Sequence, residues 1–360
     1  MVRKFNFNPG PATLPLSVLE KVQAEFLDFK NAGMSIVEIS HRSKEFEALL
    51  EHAKATLKEI MGIPDTHDTI FVGGGASLQF AMIPMNFLGE NECADYVNTG
   101  EWSQRAIKEA RAFGKVNLAA CSEADKFSYI PNQFNFSPEA RYLHITSNNT
   151  IFGTQWPSFP EAGQVPMFVD MSSDFLSRRL DVNKFSLIYA GAQKNAGPAG
   201  VTIIILRKDM LGRVVSRKIP TMLQYKTHLE NNSLYNTPPV FAIYMCSLVF
   251  DWIKEIGGLE KVEEINEKKA RLLYDTIDGM PEYYKGTVQK ESRSRMNVTF
   301  RLPSEELEKK FVSEASKLNL HGLKGHRSVG GIRVSMYNAL PLEGIEKLTA
   351  FMKEFAATNK

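Results

Sequence analysis

AGAQKNAGPAG, the stretch from Ala190 to Gly200, places a single cation, Lys194, among alanines and glycines. VTIIIL, residues 201–206, follows directly, and its β-branched residues predict a strand. Lysine is rarely buried without a partner, because an isolated ammonium loses its hydration. The small neighbours supply neither a counter-charge nor cover, but they leave space. We infer that a bound group fills that space.

Short apolar segments on both sides of this stretch alternate with helical ones. The predicted strands are TIFV (69–72), DYVNT (95–99), YLHIT (142–146), MFVD (167–170), SLIYA (186–190) and VTIIIL (201–206). Helices are predicted over residues 43–62, 78–88 and 103–114. This alternation predicts an α/β fold with a large, mostly parallel sheet covered by helices on both faces.

The pattern changes after a long helical region that begins behind Pro239 and continues to about Met280. The remaining predicted elements are NVTFRL (297–302), a helix over 304–318, GIRVSMY (331–337) and a helix from about Leu342. They indicate a smaller α+β unit. We therefore expect a large domain, residues 16–262, and a small C-terminal domain, residues 263–360, with residues 1–15 packing on the small one.

Composition excludes several classes of protein. The chain has 360 residues, 43% hydrophobic and 23% charged, with a net charge of +2, which argues against a nucleic-acid partner. The longest apolar run, residues 240–250, is shorter than the roughly 20 residues of a membrane helix, and no signal peptide is evident. The three cysteines are widely spaced, so we expect neither disulfides nor a metal site. We expect a cytoplasmic protein.

Four features follow the carboxyl ends of predicted strands, where ligands bind in open α/β sheets. They are the loop Gly73–Ser77, Trp102, Asp170 and Lys194, with Thr150 as a weaker fifth. Taken singly, each has an ordinary explanation as a tight turn, a core aromatic, a cap or a solvated lysine. Together they match the needs of pyridoxal 5′-phosphate (PLP), which requires an anion site, a Schiff-base lysine and a carboxylate at its pyridine nitrogen.

Six motifs in chain order resemble those of the phosphoserine aminotransferase family. Members of this family are class-V aminotransferases that use PLP and have the aspartate-aminotransferase fold, also called fold type I. The motifs are NFNPGPATLP (6–15), HRSKEF (41–46), FVGGGAS (71–77), YAGAQKNAGPAG (189–200), YNTPP (235–239) and GHRSVGGIRVSMYNALPLEG (325–344). The resemblance implies reversible, ping-pong transamination of O-phospho-L-serine with 2-oxoglutarate, giving 3-phosphohydroxypyruvate and L-glutamate. It leaves open whether 4-phosphohydroxythreonine is a second substrate.

The same resemblance implies roles for individual residues. Lys194 matches the Schiff-base lysine, Asp170 the partner of the pyridine nitrogen and Trp102 the aromatic that stacks on the ring. The other implied cofactor contacts are Ala76, Ser77, Thr150 and Gln193, together with Asn236 and Thr237 from the neighbouring subunit. We therefore expect a homodimer with shared sites.

Two clusters of basic residues remain to be explained: the first is His41 and Arg42, and the second is His326 and Arg327 with Arg333 beyond. Taken alone, each cluster is typical of a solvated surface. We expect His41, Arg42, His326 and Arg327 to bind the substrate phosphate, and Arg333 to bind the α-carboxylate bidentately. The glycines of the second cluster, Gly325, Gly330 and Gly331, leave a binding loop open.

Three alternatives can be distinguished. A cysteine desulfurase would share Lys194 and Asp170 but needs a reactive cysteine, for which only Cys121 qualifies. A ligand-binding protein without enzymatic activity would have no need for the intact set of cofactor residues. A nicotinamide dehydrogenase would need the third glycine of the dinucleotide fingerprint, which the Gly73–Ser77 loop lacks.

Overall fold

The computed structural model describes residues 3–359. Its strands are β1 (Phe5–Asn6), β2 (His67–Val72), β3 (Cys93–Asn98), β4 (Lys115–Cys121), β5 (Leu143–Thr146), β6 (Met167–Asp170), β7 (Leu187–Gly191), β8 (Thr202–Arg207), β9 (Lys285–Gly286), β10 (Asn297–Arg301), β11 (Leu320–His321) and β12 (Ile332–Ser335). Its α-helices are α1 (Leu16–Glu25), α2 (Lys44–Met61), α3 (Gly75–Phe87), α4 (Glu101–Ala110), α5 (Tyr225–Glu230), α6 (Val240–Glu255), α7 (Gly258–Asp278), α8 (Glu305–Lys317) and α9 (Leu342–Thr358).

A seven-stranded sheet in the order β2-β8-β7-β6-β5-β3-β4 forms the centre of the molecule. β8 runs antiparallel to both of its neighbours, and the other strands share one direction. The predicted mostly parallel α/β sheet is confirmed. The sequence analysis missed β4, an edge strand with mixed burial, and did not predict the reversal of β8.

The sheet is buried on both faces, which explains why the middle of β8, residues 203–206, is apolar at every position. Ile203 and Ile205 belong to the hydrophobic core beneath α2 and α6. Ile204 and Leu206 belong to the core beneath α3 and α4. Because alternate side chains of a strand point to opposite faces, the middle of a strand covered on both sides is favoured to be apolar at every position.

The remaining strands and helices form a smaller unit with a core of its own. Its antiparallel sheet has the order β12-β10-β9, and β1 pairs with β11. The long helical region divides into α6 and α7 at Gly257 and Gly258, whose φ angles are +109° and +73°. Val262 in α7 contacts the core of the large unit, whereas Ala270 contacts that of the small one. We propose that the domain boundary lies within α7.

α6 is the most apolar of the long helices in the chain. Neither it nor any other helix within residues 3–359 combines the length and apolarity needed to cross a bilayer.

Candidate active site

The carboxyl ends of β5, β6 and β7 lie side by side because these strands are parallel and in register. Thr146 is paired with Asp170, and Asp170 with Tyr189. The loops that follow deliver side chains to one cavity of about 210 Å³. Seven of the predicted site residues line it: Ala76, Ser77, Trp102, Thr150, Asp170, Gln193 and Lys194. The sequence analysis missed Thr146, Asn148, Ser172 and Ser173, which also line it and carry no motif.

Lys194 is 9% exposed and faces this cavity. Its Nζ donates a hydrogen bond to Thr150 Oγ1 at 2.8 Å and lies 5.8 Å from the centre of the Trp102 ring. The pKa of Lys194 is lowered to about 8, mainly by burial and also by the positive charge of Arg333, while the charges of Asp170 and Asp174 oppose the shift. A substantial fraction of the amine is therefore neutral near pH 7–8, as a nucleophile or general base requires.

Asp170 is 4% exposed, and burial is the main reason why its pKa is raised. Hydrogen bonds from Ser172 and the charge of Lys194 act in the opposite direction and favour the carboxylate. The backbone N–H of Ser172 donates to Oδ1 at 2.9 Å. The Asp170 carbonyl accepts hydrogen bonds from the backbone N–H and the hydroxyl of Ser147, both at 2.9 Å. The carboxylate is thus held on a fixed backbone.

Asp174 is a second buried acid that the sequence analysis missed. It is 1% exposed, and Gln155 Nε2 donates to Oδ2 at 3.1 Å. Arg178 Nη2 lies 3.8 Å from the same oxygen, and the Ser147 hydroxyl binds Oδ1. Because Ser147 contacts both Asp170 and Asp174, this network supports the acid in the cavity from behind. Its partners come from separate segments, so no sequence pattern reveals it.

The Gly73–Ser77 loop directs the start of α3 at the cavity. The N–H groups of Gly75, Ala76 and Ser77 belong to the first turn of α3, where they have no acceptor within the helix. Gly74 adopts φ +92°, and a Cβ there would lie 2.4 Å from Leu78 Cδ2. The loop is both a tight turn and an opening onto the cavity. Free N–H groups and the positive end of the helix dipole form an anion site.

Trp102 stands in the first turn of α4, whose start is fixed by Ser103. The Ser103 hydroxyl accepts hydrogen bonds from the N–H groups of Thr99 and Gly100, each at 3.0 Å. The indole Nε1 of Trp102 is buried and has no hydrogen-bond partner among the described residues. The rigid helix start therefore holds a flat aromatic surface at the wall of the cavity.

Two of the predicted substrate residues lie on the side of the small unit that approaches the cavity. Arg333 is 6% exposed and its Nη1 lies 3.4 Å from the carbonyl oxygen of Thr150, a long contact that leaves most of the guanidinium unpaired. His326 is half-buried, and its pKa is lowered by burial and by the charges of Arg333 and Arg327. Arg327 itself is exposed.

The other predicted residues lie away from the cavity of the single chain. Arg42 is exposed and His41 half-buried, just before the start of α2. Asn236 and Thr237 are exposed and line a separate cavity of about 420 Å³, which also contacts Gly73 and Gly200. The roles assigned to these four residues stay predictions.

The three cysteines lie elsewhere in the fold. Cys121 is exposed at the end of β4, Cys93 is half-buried, and Cys246 is buried in α6, where burial raises the pKa of its thiol. None of them is among the described residues that line the active-site cavity. Within residues 3–359, no three His, Cys, Asp or Glu side chains gather as a metal site.

Comparison with known proteins gives consistent matches over nearly the whole chain. Residues 4–348 match the family model described as aminotransferase class-V. The chain is 59% identical to the phosphoserine aminotransferase of Desulfosudis oleivorans, with 99% of both chains covered. The phosphoserine aminotransferase structure from Bacillus circulans subsp. alkalophilus superimposes with a TM-score of 0.97 at 52% identity, covering 99% of each chain. The PLP-bound phosphoserine aminotransferase of Trichomonas vaginalis gives 0.93 at 39% identity, covering 98% of this chain and 100% of the other.

Proposed function

The chain belongs to the class-V aminotransferase family, and from that membership we propose that it is a PLP-dependent enzyme of serine biosynthesis. It exchanges the amino group of O-phospho-L-serine with 2-oxoglutarate, giving 3-phosphohydroxypyruvate and L-glutamate. The observation that carries the proposal is the convergence of Lys194, Asp170, Trp102 and the start of α3 on one cavity.

The residues of the cavity fit PLP. The unpaired N–H groups of the first turn of α3 would hold its phosphate, and Trp102 offers a face for its ring. Asp170 would hold the proton on the pyridine nitrogen, while Thr150 and Gln193 would contact the ring and its substituents. When bound, PLP supplies the carbonyl carbon and the electron-accepting ring that amino-group exchange requires.

Lys194 is the acid–base group of the proposed reaction. Because burial brings its pKa to about 8, its Nζ can accept the proton of the substrate Cα near neutral pH and later return it. Proton transfer of this kind contributes roughly 10²–10⁴-fold to a rate. The Thr150 hydroxyl, 2.8 Å from Nζ, orients the amine in either protonation state, because a hydroxyl both donates and accepts.

The substrate is bound by two groups of basic residues, one beside the cavity and one, His41 and Arg42, that lies away from it in the single chain. Arg333 binds the α-carboxylate, for which a planar guanidinium is suited. His41, Arg42, His326 and Arg327 bind the near-dianionic phosphate. The side-chain carboxylate of glutamate reaches nearly the same position, so one cationic pocket serves both half-reactions.

A homodimer completes the site in this proposal. Asn236 and Thr237 are exposed in the single chain, and Arg42 is exposed as well. Polar and basic residues of this kind at the surface are available to a second copy, in which Asn236 and Thr237 would reach the cofactor phosphate. We also propose that the enzyme acts in the cytoplasm on these small molecules, with no nucleic-acid partner.

The test combines a chemical and a kinetic measurement. Borohydride reduction of the purified holoenzyme should attach the pyridoxyl group to the peptide that contains Lys194, as read by mass spectrometry. The protein should then form glutamate from O-phosphoserine and 2-oxoglutarate with ping-pong kinetics. Lys194→Met should abolish both signals, whereas Lys208→Met, on an exposed lysine, should leave both intact. Label at another lysine would contradict the proposal.

A further inference from the structure

An ion pair lies behind the loop that carries His326 and Arg327. Arg301 is the last residue of β10, and Glu308 stands in the first turn and a half of α8. Arg301 Nε donates to Glu308 Oε1 at 2.5 Å, and Arg301 Nη2 donates to Oε2 at 3.3 Å. This two-point geometry fixes the orientation of both side chains, unlike a single point contact between charges.

Both partners also bind the backbone of residues 325–331, which we call the basic loop. Arg301 Nη1 donates to the Val329 carbonyl at 3.2 Å, and the N–H of Gly331 donates to Glu308 Oε2 at 3.2 Å. Glu308 is only 7% exposed, so water competes poorly for these bonds. The ion pair therefore holds the end of the loop that leads into β12.

The glycines of the basic loop make room for this arrangement. Gly331 has φ +70°, and a Cβ there would lie 2.7 Å from Arg301 Cδ and 2.7 Å from the Phe300 carbonyl. The loop is closed by the hydrogen bond from Gly325 N–H to the Gly331 carbonyl at 2.8 Å. The sequence analysis attributed these glycines to a backbone left open for a ligand. At Gly331 the space is occupied by Arg301 instead.

We propose that Arg301 and Glu308 are positioning residues that hold His326 and Arg327 in the geometry that binds the substrate phosphate, an inference that rests on the proposed function. The tip of the loop is exposed, and its three glycines carry a large backbone entropy when they are not restrained. The ion pair restrains only the stem, so the tip stays accessible to substrate.

The test uses Glu308→Ala and Glu308→Gln, which leave the partly exposed Arg301 able to reach water. If the restrained loop conformation falls to one-tenth of the population, the apparent KM for O-phosphoserine rises about tenfold. Transamination of L-alanine, which has no phosphate, should keep its KM and kcat. Glu308→Gln retains one acceptor oxygen and should lie between the wild type and Glu308→Ala. Hydrogen exchange of the holoenzyme should accelerate in residues 325–331.

The matched control is Lys310→Met, which removes an exposed ion pair with Glu314 from the same helix. It should change neither the exchange of the basic loop nor either KM. Unchanged exchange in Glu308→Ala, or an equal loss for O-phosphoserine and L-alanine, would overturn the inference. A wild-type protein inactive on O-phosphoserine would refute the proposed function instead, and the exchange measurement would still decide whether the ion pair orders the loop.

Discussion

Lys194 Nζ donates its hydrogen bond to the hydroxyl of Thr150, at 2.8 Å, and forms no ion pair within residues 3–359. A carboxylate in place of the hydroxyl would stabilise the ammonium and raise the pKa of the lysine. The neutral hydroxyl leaves burial as the dominant influence. The structure thereby keeps the amine close to the point at which it exchanges a proton.

The reactivity of Lys194 should follow from this pKa. In protein stripped of cofactor, we expect acetylation of Lys194 by acetic anhydride to be half-maximal near pH 8, because only the neutral amine reacts. The same lysine in urea-unfolded protein is the control, because without burial its reaction should rise about two pH units higher, near the ordinary lysine value of roughly 10.4. Peptide mass mapping across pH 6–11 gives both profiles. Coinciding profiles would contradict the shift.

The same shift has a consequence for the stability of the cofactor-free protein. The pKa of Lys194 is about 8 in the folded state and 10.5 without burial. Between these values the unfolded chain binds more protons, so the contribution of Lys194 to the free energy of unfolding increases as pH rises through that window. It is smallest at and below pH 8. In urea unfolding measured at a series of pH values, Lys194→Met should remove this increase in the free energy of unfolding between pH 8 and 10.5. The same pH dependence in the variant and the wild type would contradict the prediction.

The sequence predicts those parts of the site that strand order places, but not the contacts between loops that are distant in the chain. Asp170 closes one apolar strand and Lys194 follows the next, so their place at one sheet edge was predictable from chain order, and both line the same cavity. The bond between Lys194 and Thr150 was not predictable, because it joins loops whose conformations depend on their surroundings. The sequence analysis missed Asp174 for the same reason. The strand β4 was not predicted because its half-exposed positions give no clear apolar pattern.

The basic residues should discriminate between substrates by charge. We expect Arg42→Ala and Arg327→Ala each to raise the KM for O-phosphoserine, because a hydrogen bond to a charged group contributes about 1.5–3 kcal/mol, or roughly ten- to a hundredfold. The KM for L-alanine should change little. Steady-state kinetics with both donors make the comparison, and Arg111→Ala, on an exposed arginine of the large domain, is the control. Equal effects on the two donors would refute a phosphate-binding role.

Gly100 should tolerate no side chain. It has φ +152°, and a Cβ would lie 1.7 Å from Asn149 Nδ2, whose amide bonds the Thr99 carbonyl. Gly100→Ala should therefore displace both the start of α4 and the turn before Thr150, and lower the free energy of unfolding by about 1–3 kcal/mol. Denaturant unfolding and retention of PLP absorbance after dialysis measure the two effects. Gly212→Ala, where a Cβ meets nothing within 4 Å, should do neither.

Lys269 should be a major contributor to the stability of the small domain. It is fully buried in α7, and its Nζ donates to the carbonyls of Met336, Tyr337 and Leu340 at 3.1, 2.7 and 3.2 Å. Lys269→Met would leave these acceptors buried without a donor, at about 1–3 kcal/mol for each unsatisfied group. We expect the free energy of unfolding in urea to fall by roughly 3 kcal/mol or more.

The neighbouring Lys268 gives a close control for that measurement. It is exposed and pairs with Glu264 on the surface of α7, so Lys268→Met should cost less than about 1 kcal/mol. Two of the carbonyls held by Lys269, those of Met336 and Tyr337, directly precede Asn338, and the Asn338 N–H donates to Asn195 Oδ1 at 3.0 Å. Asn195 directly follows Lys194 in the chain. Lys269→Met should therefore also weaken PLP retention. A variant with wild-type stability would show that water or a rearranged backbone satisfies the three carbonyls.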